Sequence, residues 1–129
     1  MIHILIADAD PAARKALSLL LRRKLCMEDI YEVADVESLI RVLANTMPAL
    51  LLLDGKLYGS TPLETCRLLQ KAFPQLKIVL LSLDADDEKI AKSAGLDFIH
   101  KGAAPDTTIL RLTSLLYQDS LCLTNSEEV

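Results

Sequence analysis

Four residues of this 129-residue chain have types suited to one piece of chemistry: Asp8, Asp54, Ser82 and Lys101. Two carboxylates brought together repel each other unless a cation or a proton is shared between them. A hard dication such as Mg²⁺ suits that arrangement, because one or two carboxylates, water and phosphate oxygens satisfy it. Ser82 offers a hydroxyl to a bound oxyanion, and Lys101 offers a point positive charge. An acid nucleophile, a metal-binding acid, a hydroxyl and a lysine suffice for phosphoryl transfer to a carboxylate, which depends mostly on positioning and electrostatics. Each residue alone also has a structural explanation, because Asp and Ser favour helix caps and turns. Capping accounts for Asp10 in full. It accounts least for Asp54, which is followed by Gly55 and a loop rather than by a helix.

The elements that must position these residues follow one recurring pattern: a short apolar run, a polar break, then a longer run with helical spacing. Ile2 to Ala7 reads as a first strand, with Asp10 as N-cap and Pro11 opening a helix to about Leu25. That helix carries Ala13, Leu17, Leu20 and Leu21 on one face. Ile30 to Ala34 is a second strand, and Asp35 caps a helix to about Thr46. Ala49 to Leu53 is apolar on both faces, as a central parallel strand is. A loop from Gly55 to Ser60 precedes a capping box of Thr61 and Glu64, and the helix it starts ends near Pro74. Lys77 to Leu81 is the fourth strand, ending at Ser82. Asp84 or Asp86 caps a short helix that stops at Gly95. Asp97 to His100 is the fifth strand, and Pro105 starts a last helix to about Tyr117. Ile109, Leu112 and Leu116 form its core stripe, with Leu110 off it.

Strands alternating with helices imply an α/β fold, a parallel sheet covered on both faces. At this length a doubly wound sheet fits and a closed barrel of about 250 residues does not. In the flavodoxin-like strand order 2-1-3-4-5, ligands bind at the carboxyl ends of the strands, beside the switch point between strands 1 and 3. Asp8, Asp54, Ser82 and Lys101 all stand at predicted strand ends. Residues 1–118 form the domain, and 119–129 a polar C-terminal tail or the start of a linker.

Composition excludes several function classes. With 51% hydrophobic and 25% charged residues the chain is not disordered. No apolar run approaches the roughly 18–20 residues that span a bilayer. The net charge is −4, and no basic block exceeds Arg22-Arg23-Lys24, so neither a nucleic-acid nor a membrane surface is implied. Cys26, Cys66 and Cys122 are odd in number and widely spaced, which points to small buried hydrophobes in a reducing cytoplasm. His3 and His100 lack a partner at metal-ligand spacing and read as structural.

The motifs ILIADADPAARKAL, LLLLDGKLYGSTP, IVLLSLDADD and AGLDFIHKGA resemble, in order and spacing, those of response-regulator receiver domains of the CheY-like superfamily. The likeness runs from Ile2 to about Tyr117. In motif style it is nearest to receivers that precede LuxR-type DNA-binding domains. It implies a phosphorelay role in two-component signal transduction: a phosphoryl group from a histidine kinase or phosphotransfer protein would be accepted on Asp54. Asp8, Asp54 and the backbone carbonyl of Lys56 would hold Mg²⁺. Ser82 would hydrogen-bond the phosphoryl group, Lys101 would pair with its oxygens, and Phe98 would change rotamer with it. The face of the fourth helix, fifth strand and fifth helix would bind a downstream protein or output domain, or a second copy in a homodimer. The domain would be a phosphoprotein of the cytoplasm rather than an enzyme, with autophosphatase activity at most.

The chain departs from that pattern in several places. Ala9 stands where a second acid is usual, so Mg²⁺ binding is expected to be weak. Leu83 follows the switch serine, where Ala or Gly is usual, and would crowd the phosphoryl pocket. Lys56 would pair with Asp84 or compete with the metal. Gly102 replaces a proline and removes an expected cis bond. Two other functions compete with the phosphorylated switch. One is a degenerate receiver acting as a phosphate-independent interaction module. The other is a phosphatase similar to the haloacid dehalogenases, using Asp8-Ala9-Asp10 with Ser82 and Lys101. That family also wants a strand-end acid cluster after the lysine, where only Asp106 and Asp119 follow.

Overall fold

The computed structural model describes residues 3–57 and 61–128, with side chains as far as residue 117. Five strands and five helices alternate: β1 (Ile4–Ala7), α1 (Pro11–Leu25), β2 (Ile30–Val33), α2 (Val36–Asn45), β3 (Leu50–Asp54), α3 (Pro62–Ala72), β4 (Ile78–Ser82), α4 (Asp86–Ser93), β5 (Asp97–His100) and α5 (Pro105–Glu128). The sheet is parallel with order β2-β1-β3-β4-β5, the flavodoxin-like order expected.

Alternation along the strands divides the core into two layers. Ile4, Ile6, Leu50, Leu52, Val79, Leu81 and Ile99 face α1 and α5, where Leu21, Leu112 and Leu115 meet them. Leu5, Ala7, Leu51, Leu53, Ile78 and Leu80 face the opposite way, onto Leu39, Leu43, Cys66, Leu69 and Ala91 of α2, α3 and α4. Leu50 to Leu53 are wholly buried, as a central strand with both faces covered must be. Truncating one of them to alanine costs about 2–5 kcal/mol.

Local signals set the helix ends. Asp10 Oδ1 accepts the Ala12 N–H at 3.0 Å and Pro11 opens α1. Cys26 ends that helix in the left-handed region, φ 52°, and is exposed rather than buried as expected. Its neighbours Leu25 and Met27 meet the core in its place. Thr61 and Glu64 make the expected capping box of α3. Asp86 is the first residue of α4 rather than its cap, and Asp84 Oδ1 accepts its N–H at 2.9 Å. Gly95, φ 73°, closes α4: its N–H reaches the Lys92 carbonyl, and Leu96 N–H the Ala91 carbonyl, a Schellman pair.

Several boundaries move. β1 starts at Ile4, and Ile2 lies outside the described residues, as does the end of the expected loop at residues 58–60. Asp54 and Ser82 are the last residues of their strands rather than the first beyond them. Among the described side chains of α5, Leu112 and Leu115 are buried, with Ile109 and Leu116 only partly buried. That helix continues to Glu128 instead of ending near Tyr117, because neither glycine nor proline follows Pro105 to stop it. The side chains of Asp119 and Cys122 lie outside the described residues. Among the described residues no helix is long and apolar enough to cross a membrane.

Candidate functional site

The parallel register brings the carboxyl ends of β1, β3 and β4 to one rim. Ala7 pairs with Leu53, so Asp8 follows β1 beside Asp54 at the end of β3. Asp54 is level with Leu81, one residue before Ser82, and Ser82 is level with His100, one residue before Lys101. Asp8 is 3% exposed, Asp54 7% and Ser82 2%. The four residues line one open cavity of about 550 Å³, together with Ala9, Asp10, Pro11, Lys56 and Leu83.

Lys101 binds the two acids together. From beyond β5 its side chain reaches past the end of β4, placing Nζ 2.8 Å from Asp8 Oδ2 and 3.3 Å from Asp54 Oδ1. Asp8 is fixed from three further sides. Its carboxylate accepts the Asp10 N–H at 2.9 Å, its N–H donates to the Val33 carbonyl, and its carbonyl accepts from Arg14 at 2.8 Å. Arg14 is itself held by Glu32 at 3.2 Å.

Charge is not balanced there. Burial, and then the neighbouring charge of Asp8, raise the pKa of Asp54, and Lys101 offsets this only in part. Burial also works against the charged form of Lys101. The hydrogen bond to Asp8 and the charges of Asp54 and Asp8 outweigh it, so the ammonium holds its proton beyond the usual lysine range. Two carboxylates thus share one ammonium at the rim.

The Ser82 side is built differently. Its hydroxyl donates to Asp87 Oδ2 at 2.5 Å and accepts the Asp84 N–H at 3.0 Å. Leu83 stands 64% exposed at the cavity mouth. Its Cδ2 would be 3.7 Å from a Cβ on Gly102, so the two loops approach each other there. Lys56 is exposed and makes no ion pair with Asp84, contrary to one expectation. The Gly102 N–H donates to His100 Nδ1 at 2.9 Å, using a donor that proline lacks, and the described peptide bonds are all trans. Phe98 is half-buried against the α2–α4 layer.

The family of response regulator receiver domains matches this chain over residues 4–113. The chain belongs to that family. Solved structures agree in fold. A CheY-like receiver domain protein from Methanospirillum hungatei is 20% identical with TM-score 0.79, over 93% of this chain and 97% of that one. The chemotaxis response regulator CheY4 of Vibrio cholerae is 16% identical with TM-score 0.77, over 89% and 98%. The isolated receiver domain of RcsB from Salmonella enterica, in a structure with phosphomimetic beryllofluoride, is 19% identical with TM-score 0.80, over 88% and 87%. No curated protein matches the sequence.

The receiver is thus a signalling domain of two-component systems and not a classical enzyme. Asp106, which a phosphatase would need at the rim, is exposed in the first turn of α5. Receivers generally bind Mg²⁺ at the phosphorylation site and interact with histidine kinases and output domains. This rim fits such an ion. Asp8 and Asp54 supply two carboxylates beside an open cavity, which is enough for Mg²⁺ with water and phosphate oxygens. No cluster of three or more His, Cys, Asp or Glu suited to a metal occurs among the described residues, and Ala9 brings no donor.

Two residues at the site escaped the sequence reading. Arg14 anchors Asp8 from the first turn of α1. Asp87 holds Ser82 from five residues away, inside an acidic run of which only Asp84 and Asp86 had been given roles. Gly55 was the signal available for it: a Cβ there would meet Asp87 Oδ2 at 2.9 Å.

Proposed function

We propose that this receiver accepts a phosphoryl group on Asp54 and relays its presence through α4, β5 and α5. One observation carries the reading: a single ammonium, Lys101, bridges Asp54 and Asp8 at the carboxyl rim, beside a cavity open to solvent. An oxygen of Asp54 attacks phosphorus of a phosphohistidine on a histidine kinase or phosphotransfer protein. The O–P bond forms as the P–N bond breaks, and the imidazole leaves with the bonding pair and is protonated from water. Asp8, Asp54 and the Lys56 carbonyl would hold Mg²⁺, which would supply charge neutralisation on the phosphoryl oxygens.

Lys101 then exchanges a carboxylate partner for phosphoryl oxygens, and Ser82 donates to another. Phe98 packs against the layer that contains α4 and changes rotamer as Ser82 moves. Leu110, 73% exposed on α5, belongs to the face that meets an output domain, a downstream protein or a second copy. Hydrolysis of the acyl phosphate by the domain itself resets it, and the setting is cytoplasmic. The test is intact mass after treatment with acetyl phosphate and Mg²⁺. The wild type gains one phosphoryl group and Asp54→Asn gains none. No gain in the wild type, even with its kinase, makes the chain a phosphate-independent interaction module.

A further inference from the structure

Ser82 carries a single O–H, and in this structure that donor is already committed to Asp87. While the bond stands, the hydroxyl cannot donate to a phosphoryl oxygen on Asp54. Asp87 is the second residue of α4, so the bond ties the rim end of β4 to the first turn of that helix. The backbone pulls the same way: the Asp84 N–H donates to Ser82 Oγ at 3.0 Å. Asp87 also lies close to the acceptor's own loop. Its Oδ2 occupies the space over Gly55 that a Cβ would enter, at 2.9 Å. The reach of this carboxylate is felt on α3, where burial and then the Asp87 charge push the Cys66 thiol up to about 11.

We propose that Asp87 is the resting partner of the switch serine, holding Ser82 and the first turn of α4 together until a phosphoryl group on Asp54 takes over the serine's proton donor. The proposal rests on the reading of Asp54 as phosphoryl acceptor. Exchange of partners breaks one O–H···O⁻ bond and makes another of the same charge-assisted kind, so the two states can lie close in energy. Asp87 is only partly buried and accepts water once released. Its charge, next to the loop that follows Asp54, also opposes a second anion there. Asp87 is therefore a positioning residue that sets how readily the phosphorylated state is reached, and it links that state to α4 directly.

The experiment uses the wild type, Asp87→Ala, Asp87→Asn, Ser82→Ala and the Ser82→Ala/Asp87→Ala double variant. Amide hydrogen exchange over residues 84–91, without phosphodonor, reads the resting contact. Intact mass and its decay, with acetyl phosphate and Mg²⁺, read the exchange of partners. Asp87→Ala speeds exchange in the first turn of α4 by about fivefold, the scale of one lost hydrogen bond. The double variant is no faster than Ser82→Ala. Asp87→Asn, which keeps an acceptor in the same place, exchanges nearly as the wild type does. Asp87→Ala also holds its phosphoryl group about fivefold longer or to higher occupancy, with Asp87→Asn between it and the wild type. Equal phosphorylation in wild type and Asp87→Ala overturns the proposal and leaves Asp54 as acceptor untouched. Additive exchange effects overturn it too. No mass gain in any protein removes the acceptor reading itself, and the proposal with it.

Discussion

Asp8, Asp54 and Lys101 are joined across separations of 93 and 47 residues by contacts that only the assembled sheet creates. Ser82, at the same rim, is satisfied within five residues by Asp87. The charged group is a product of topology: strands β1 and β3 lie side by side, and a long side chain from beyond β5 closes over them. The hydroxyl contact is a product of one loop and one helix start. Coupling between the two groups therefore requires the local contact to give way, because the Ser82 hydroxyl has one proton to donate and Asp87 holds it.

That contrast can be broken by mutation. Lys101→Met should have the largest effect, since it leaves two buried carboxylates without their cation. A loss of about 3 kcal/mol is expected, the scale for breaking a buried pair, and millimolar Mg²⁺ should restore part of it in thermal melts. If Lys101→Met costs no more than Ser82→Ala, the two groups are alike and the contrast fails.

Asp54→Asn sharpens the same point through pH. Burial and then Asp8 raise the Asp54 pKa above 3.8, so the folded chain binds that proton more tightly than the unfolded chain does. The associated stability is fully present below the ordinary carboxyl pKa and is lost as pH rises through the folded value. Asn suffers no such loss. The variant should be more stable than wild type at pH 7 by about 1 kcal/mol, with the advantage fading as pH falls towards 3.8. Urea midpoints at several pH values check this, and a constant difference would contradict it.

Ala9→Asp adds an anionic group at the cavity wall and should tighten Mg²⁺ binding by about tenfold. Calorimetric titration showing equal affinities would mean that the cavity cannot use a third carboxylate. Leu83→Ala is the mildest change. The side chain is 64% exposed, so stability should stay within about 0.5 kcal/mol of wild type. Phosphorylation by a small donor should quicken about twofold if Leu83 narrows the mouth, as measured by mass against time.

The same contrast decides how much of the molecule was legible in its sequence. Strand alternation, the Asp10-Pro11 and Thr61–Glu64 caps and Gly95 fixed the element order, and the order placed Asp8, Asp54, Ser82 and Lys101 at one rim. The meeting of these four residues was readable because strand ends say where residues meet, whereas the Lys101 bridge between Asp8 and Asp54 was not. The Ser82–Asp87 bond was not, because Asp84, Asp86 and Asp87 are interchangeable as helix-capping signals and only coordinates tell which one turns inward. Cys26 and the length of α5 were misjudged for a related reason. Cys26 takes the left-handed conformation that ends α1, and the length of α5 is set by the absence of a breaker rather than by any positive signal.

The most direct measurement is intact mass of wild type and Asp54→Asn after acetyl phosphate and Mg²⁺, with peptide mapping of the modified residue. The account predicts one phosphoryl group on wild type, located at Asp54, and none on the variant. One phosphoryl group on both proteins, or none on wild type with its cognate kinase present, would contradict it.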